Sequence, residues 1–469
     1  MGRRIWCIGA ILLAACGDDG GTADAGFDLG ADLGRPDLGP PDLGPPDGGG
    51  CGAPYEGPAP DPADAGPAAP APEADCGEPT FPEGTALRRW PYLQSVTPTS
   101  AKVVWTTTGG QAGTLRVRPS GSDEWRTIPA DGELFDTART ADLEDYTAHV
   151  AQVAGLEPSA AYCYEVLAGD TPVATGLTLR TGWIDGEGPT RPVRLLAFGD
   201  SGDGSANQAA LRDMFQAQDY DLFLHLGDMA YGDGTFVEFE TKMFAVYRDL
   251  LHRVPSWPTI GNHEMKTAAG QPYRDVYYLP EQALRAEENE YYYSFDQGNV
   301  HFVSLDSNEA RLIPIGLDLN GAIDDDMLDW LEADLAASDA EWKIAIFHHP
   351  PYSSSSRSPN GLVRSQLLPV LEAGGVDLVL AGHDHHYERT LPLRGGCTAA
   401  NAEEGITYIV AGAGGAGLRG DVVDQWWAET TDDQQHSFFR ATIHGCSLHG
   451  EAVSVTGEVI DEVVLDGCD

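Results

Sequence analysis

Positive charge is scarce in this chain. Lys and Arg number 28 against 73 Asp and Glu over 469 residues, a formal net charge of −45. A polyanion of that size is a poor partner for nucleic acid or anionic headgroups, and salt should modulate its affinity for any anionic ligand. The apolar stretch Ile5–Ala15 is too short to cross a bilayer as a stable helix. Aromatic residues are almost absent from residues 17–84, which are Gly, Pro, Ala and Asp. Such a segment cannot bury enough apolar surface to offset the entropy of ordering. The Gly-rich run Ala413–Gly417 has no Lys-Ser/Thr pair after it, which excludes a nucleotide-binding phosphate loop.

What the chain does have is five short apolar runs that end alike. Arg194–Phe198 ends in Gly199-Asp200-Ser201-Gly202, and Asp221–Leu226 in Gly227-Asp228-Met229-Ala230-Tyr231. Trp257–Ile260 ends in Gly261-Asn262-His263-Glu264, and Lys343–Phe347 in His348-His349-Pro350-Pro351-Tyr352. Val376–Ala381 ends in Gly382-His383-Asp384-His385-His386. Short apolar runs bounded by turn residues read as buried strands. Helical patterns such as Asp325–Leu335 lie between them, which predicts an α/β layer fold with ligands bound beyond the carboxyl ends of the strands. All five polar clusters sit at those ends and can converge. Their Asp, Asn, His and Tyr side chains make an oxygen and nitrogen ligand set without thiolate, suited to iron, manganese or zinc. Two such ions a few ångströms apart serve in-line displacement at phosphorus.

Taken together and in this order, GDSG, GDMAY, GNHE, HHPPY and GHDHH resemble the metallophosphoesterase signature (the calcineurin-like superfamily) and, through Tyr231, its purple acid phosphatase branch. The resemblance covers most of the chain from about Leu87 onward. It implies one metal held by Asp200, Asp228, Tyr231 and His385, and a second held by Asp228, Asn262, His348 and His383. The first ion is then Fe3+ and the second Fe2+, Zn2+ or Mn2+. It further implies that a metal-held hydroxide attacks a phosphate monoester, that Asp228 and His263 are catalytic with His263 assisting the leaving group, and that Asn262 and His263 contact substrate. Plant members carry substrate-contacting histidines nine or ten residues after the fourth-motif ligand; here that place reads Arg357-Ser358. Arg357 is either a phosphate-binding fork or a solvated loop residue.

The length allows two to three domains. Residues 1–16, with Arg3 and Arg4 ahead of the apolar stretch, read as a signal peptide. Leu13-Ala14-Ala15-Cys16 resembles a bacterial lipobox, which predicts an exported lipoprotein acylated at Cys16; the alternative is ordinary signal cleavage near the same alanines. Gly17 after the cysteine permits outer-membrane or cell-surface placement by the rule of enteric bacteria. Residues 17–84 are expected to be a disordered, extended tether. Asp-Leu-Gly recurs there at Asp28, Asp32, Asp37 and Asp42, but the GGxGxD pattern of a calcium-binding repeat is missing. Six cysteines remain after the signal: Cys51, Cys76, Cys163, Cys397, Cys446 and Cys468. An even number in an exported chain favours disulfides, with the pairing undetermined and one local bridge expected in the last three.

Residues 85–184 carry β patterns around Trp105 and Tyr164, read as core residues of an all-β sandwich. This resembles the fibronectin type III-like domain that precedes the catalytic domain in plant-type purple acid phosphatases. Residues 182–192 read as a Gly/Pro hinge. Residues 190–469 are expected to form the catalytic domain, a four-layer α/β/β/α sandwich. Phe438–Ile443 and Ala452–Leu465 are expected to be strands completing its second sheet. His349 and His386 are expected to orient neighbouring ligands, and His225 to be a core residue. His301, His436, His444 and His449 receive no role. The reading is thus an exported phosphate monoesterase with a small phosphate ester as substrate. Its rivals are a phosphodiesterase built on the same site and a non-catalytic surface binding protein.

Overall fold

The structure, a computed structural model, describes residues 71–186, 191–308, 311–312, 317–318, 323–356, 360–399 and 404–467. The expected signal peptide, Cys16, most of the expected tether, Cys51, Arg357 and Cys468 lie outside the described residues.

Strands β1 (Leu87–Gln94), β2 (Ser100–Thr108), β6 (Tyr146–Ala154) and β5 (Asp131–Phe135) form one antiparallel sheet in that spatial order. Strands β4 (Arg126–Pro129), β3 (Gly113–Pro119), β7 (Ala161–Ala168) and β8 (Thr171–Arg180) form the other. Trp105 and Tyr164 are fully buried, as the sequence predicts. Along β2 the period of two divides neighbouring side chains between two cores. Val103 and Trp105 enter the sandwich interior, whereas Val104 joins the core of the following domain. Tyr92, Tyr146 and Ala148 do the same from β1 and β6. Its inner strands β1 and β2 are thus covered on both faces, whereas the edge strand β5 is exposed up to Phe135.

Polar contacts tie this junction down. The Tyr92 hydroxyl donates to the Val276 carbonyl at 2.7 Å, and Tyr164 to that of His252 at 2.6 Å. Arg89, buried at 4 % exposure, donates to Glu240 at 2.9 Å. The expected hinge does not behave as a free joint over residues 182–186. Trp183 is buried, its carbonyl accepts from Gly298 N, and Ile184 bridges to Gly298. The end of the expected tether is likewise fastened: a disulfide joins Cys76 to Cys163, Thr80 pairs with Thr175, and Phe81 stacks on Trp90. A covalent bridge and a stacked ring offset the ordering entropy that composition alone assigned to residues 71–84. Cys397 and Cys446 are also disulfide-bonded.

The second domain has two sheets. In the first, β9 (Val193–Phe198), β10 (Leu222–His225) and β11 (Ser256–Pro258) run parallel. In the second, β12 (Tyr293–Gln297) and β13 (Val300–Ser304) lead to the parallel strands Trp342–Phe347, Leu378–Ala381 and Thr407–Ala411. Helices Ala206–Phe215 and Ala245–Leu251 pack together in the first half, and Asp325–Ala337 and Leu368–Ala373 in the second. The helix Asp325–Ala337 begins where the sequence places it, because the Asp324 carboxylate caps it by accepting from Met327 N at 3.1 Å.

The late strands differ from expectation. Ser437–His444 pairs with β9, so it extends the sheet carrying the first three motifs, not the other. The stretch expected as one strand from Ala452 to Leu465 is two, Ser447–Ser454 and Val459–Asp466, because Gly457 at φ +85° turns the chain between them.

His301, which had no assigned role, is clasped in the fold. Its Nδ1 meets Asp296 at 2.7 Å and its Nε2 meets Asp334 at 2.8 Å. Burial opposes a charge on the ring, but these hydrogen bonds and the two carboxylates outweigh it and push the pKa up to about 9. The folded value lies above the ordinary 6.5, so the clasp stabilises fully below that pH and is lost as pH rises through about 9. Asp296 is exposed, which reduces the contribution to roughly 1–2 kcal/mol. At fixed metal loading, the urea midpoint of His301→Asn should trail the wild type most near pH 6, and the gap should close by about pH 10. A gap of constant width across that range would rule the charge out.

Candidate metal centre

Three motifs end on the first sheet and two on the second, and the site lies where those strand ends meet. Asp200, Asp228 and His383 occupy the left-handed region, at φ +56°, +53° and +71°. Each such non-glycine residue costs about 1–3 kcal/mol and persists where its surroundings over-determine it. The turn swings each side chain back over the strand ends. The glycines before two of them permit close approach. A Cβ on Gly227, itself at φ +85°, would lie 2.5 Å from His348 Nδ1, and one on Gly382 would lie 2.6 Å from an Asp200 carboxylate oxygen.

Two triads result. In the first, the Tyr231 hydroxyl donates to Asp200 Oδ1 at 2.8 Å and lies 3.2 Å from His385 Nε2, which is 3.5 Å from the same carboxylate oxygen. In the second, Asn262 Oδ1 lies 3.1 Å from His348 Nε2 and 3.0 Å from His383 Nδ1, and those two ring nitrogens are 3.3 Å apart. Asp228 stands between them. Its Oδ2 is 3.3 Å from His348 Nε2, and ligand atoms of Asp200, Asp228 and His348 all lie within 4.8 Å of one another. All seven residues predicted as ligands come together.

The donor set fits metal ions. His348 Nδ1 donates to the Leu226 carbonyl and His385 Nδ1 to that of Gly417, each at 2.8 Å. Both rings therefore turn Nε2 toward oxygen atoms, the orientation a backbone partner imposes on a metal-binding histidine. Burial would raise the Asp228 pKa, but His348 and His263 outweigh it and hold the carboxyl well below its usual range. Burial opposes a charge on His348, yet Asp228 and Asp200 push its pKa up to about 10. A metal ion displaces the proton favoured there. Burial, then the charges of Asp200 and Asp228, push the Tyr231 phenol far up; an adjacent cation reverses that sign.

His263 lies beside the first triad, its ring edge-on to Tyr231 with centroids 4.3 Å apart. Its Nδ1 is 2.7 Å from the Gly232 carbonyl and 2.9 Å from Lys266 Nζ, and Nε2 is 3.9 Å from Asp228 Oδ2. Lys266 Nζ donates to the same carbonyl at 2.8 Å. His349 accepts from or donates to Ser307 Oγ through Nδ1 at 2.9 Å, and one of its nitrogens falls within 4.8 Å of the ligand atoms of His348 and His383. His386 is buried against Glu388 at 2.9 Å, and His225 is buried with Nε2 2.8 Å from Ser201 Oγ.

Two supports escaped the sequence reading. Glu264, the last residue of the third motif, is fully buried. Its Oε2 accepts from Asp228 N and Gly261 N, and its Oε1 from Met229 N and Ala230 N, all at 2.8–3.0 Å. A charged residue in a motif was the available signal. The second is the Gly-rich run, which wraps the first motif: Gly414 N donates to Gly199 O, Ala416 N to Asp200 O, and Gly417 O receives His385. Backbone groups carry those contacts, so no side-chain pattern announces them. Another acidic group, Glu288, Asp324 and Asp326, is bridged by Arg285, which pairs with all three.

Residues 193–387 match the family described as calcineurin-like phosphoesterase, and residues 91–181 match the purple acid phosphatase N-terminal domain. Purple acid phosphatase 21 of Arabidopsis thaliana is 29% identical over 236 residues, 48% of this chain and 50% of that protein. The chain thus spans about half the length of that relative. The purple acid phosphatase of Glycine max is 24% identical over 349 residues, 68% of this chain and 69% of that protein. Among solved structures, purple acid phosphatase PPD1 from yellow lupin seeds superposes with a TM-score of 0.69 at 20% identity, covering 81% of this chain and 74% of that one. That likeness is one of fold.

Proposed function

In a chain that joins a purple acid phosphatase N-terminal domain to a calcineurin-like phosphoesterase domain, we propose hydrolysis of small phosphate monoesters at a two-metal centre, of the acid phosphatase type. The observation that carries this is the pair of ligand triads with Asp228 between them. Asp200, Asp228, Tyr231 and His385 would hold one ion and Asp228, Asn262, His348 and His383 the other, with Fe3+ on the Tyr231 side and Fe2+, Zn2+ or Mn2+ opposite. Such a pair activates water and neutralises the attacking and leaving oxygens.

The chain's own groups do the rest. Gly232 O and Lys266 Nζ hold His263 by Nδ1, so Nε2 is the atom that would carry a proton to the leaving oxygen. Asn262 and His263 would contact the phosphoryl group. The reading extends to export and acylation at Cys16, supported by the lipobox-like Leu13–Cys16 alone.

The test compares hydrolysis of an aryl phosphate monoester with that of the matching diester. Monoester turnover should dominate; diester preference would make the protein a phosphodiesterase, and silence toward both with two metals bound would leave a binding protein. His263→Ala should lower kcat roughly 100- to 10,000-fold at unchanged metal content. Unchanged turnover in that variant would remove its role.

A further inference from the structure

Arg419 lies outside all five motifs, yet the fold places it at the rim of the centre by two neighbouring anchors. Its Nη1 donates to Asp384 Oδ1 at 2.9 Å, and Asp384 sits between His383 and His385 in the chain. Two residues earlier, Gly417 O holds His385 Nδ1. The other carboxylate oxygen of Asp384 receives Ser353 Oγ at 2.6 Å, so Asp384, 4 % exposed, is a fixed post. One end of the guanidinium is thereby set. The remaining N–H groups of Arg419 have no partner among the described residues, and the side chain is 19% exposed.

A planar fork with unpaired donors, held beside a cluster of metal ligands, has the geometry to meet an oxyanion. The other cations nearby have more partners: Lys266 meets Gly232 O and the His263 ring, and Lys242 meets Tyr231 O and Glu238. In a chain of net charge −45, a guanidinium that spends one N–H on Asp384 and keeps others free brings donors to an anion site that the rest of the surface opposes.

We propose that Arg419 is a substrate-contacting residue whose free N–H groups donate to a non-bridging phosphoryl oxygen on the His383–His385 side of the centre, and that it selects dianionic monoesters over monoanionic diesters. The inference rests on the phosphatase reading above. Selection follows from charge: a phosphate monoester carries close to two negative charges at neutral pH and a diester one, so a fixed cation favours the monoester.

Inorganic phosphate is the probe, titrated calorimetrically into the metal-loaded wild type, Arg419→Gln and Arg419→Lys. The Gln variant should bind phosphate about ten- to a hundredfold more weakly with its metal content intact, and the Lys variant should lose less. The ratio of kcat/KM for monoester over diester should fall in the same order. An unchanged phosphate Kd and an unchanged ratio in Arg419→Gln would overturn the proposal. So would loss of metal from both variants, since Arg419 would then only prop Asp384 and its neighbouring histidines. If the wild type neither binds phosphate nor cleaves either ester, the phosphatase reading itself falls; a wild type that does both beside an indifferent Gln variant removes Arg419 alone.

Discussion

Asp228→Asn should leave a folded protein that binds fewer than two metal ions and hydrolyses phosphate monoesters roughly a thousandfold more slowly or worse. Asp228 has a ligand atom within 4.8 Å of both Asp200 in the first triad and His348 in the second, and it also anchors His263 by accepting from that residue's backbone N–H at 2.9 Å. Asparagine keeps the shape and the Oδ1 acceptor but presents an amide nitrogen where Oδ2 faces His348. A donor there repels a cation, and the negative charge that two adjacent cations require is gone. Metal content by elemental analysis and kcat on an aryl monoester are the two readings. Two metals retained at full affinity with near-normal turnover would dismantle the bridging assignment. Normal metal content with lost turnover would confine Asp228 to positioning His263.

Glu264→Ala should have the largest effect on folding of any single change at the site. One carboxylate satisfies four backbone N–H groups from the second and third motifs, in a place with no access to water. Removing it leaves four buried donors without partners, and each such group costs about 1–3 kcal/mol. Partial relaxation brings the total to roughly 4–6 kcal/mol, a large share of the stability of an ordinary domain. Asp228 is held at φ +53° by this clamp, so metal affinity should fall with stability. Glu264→Gln is the sharper variant. Its remaining oxygen serves one pair of N–H groups while its amide nitrogen confronts the other, so it too should unfold early, though less than alanine. Thermal unfolding with and without added metal separates the two effects. A Gln variant as stable as the wild type would show that the clamp is not held by charge and acceptor count.

Several features resisted a reading from sequence because their cause is non-local. The run Ser437–His444 has a plain strand pattern, but that pattern is the same whichever sheet accepts it; pairing with β9 is decided by which edge the packed core leaves open. Composition marked residues 71–84 as unable to order themselves, and a disulfide from Cys76 to Cys163 across 87 residues overrides it. Residues 182–186 look like a flexible joint until Trp183 finds its pocket against Gly298. Arg357, the cation that its spacing from the fourth motif brought forward, lies outside the described residues, whereas Arg419 is marked only by the contact of its guanidinium with Asp384.

The sequence by itself determined which side chains gather at the strand ends and in what chemical class they fall. Strand ends are written locally, in apolar runs of which four of the five are stopped by glycine, and the candidate ligands sit within four residues beyond the run or its glycine. Tertiary structure alone decided how they are used. It divided the five motifs between two sheets whose ends meet, turned His348 and His385 by way of the Leu226 and Gly417 carbonyls, and set Glu264 beneath Asp228. Backbone carbonyls and N–H groups are present at every residue, so no spacing of side chains reveals which of them will be the partner. Only the packed arrangement of the two sheets brings a particular one within hydrogen-bonding distance.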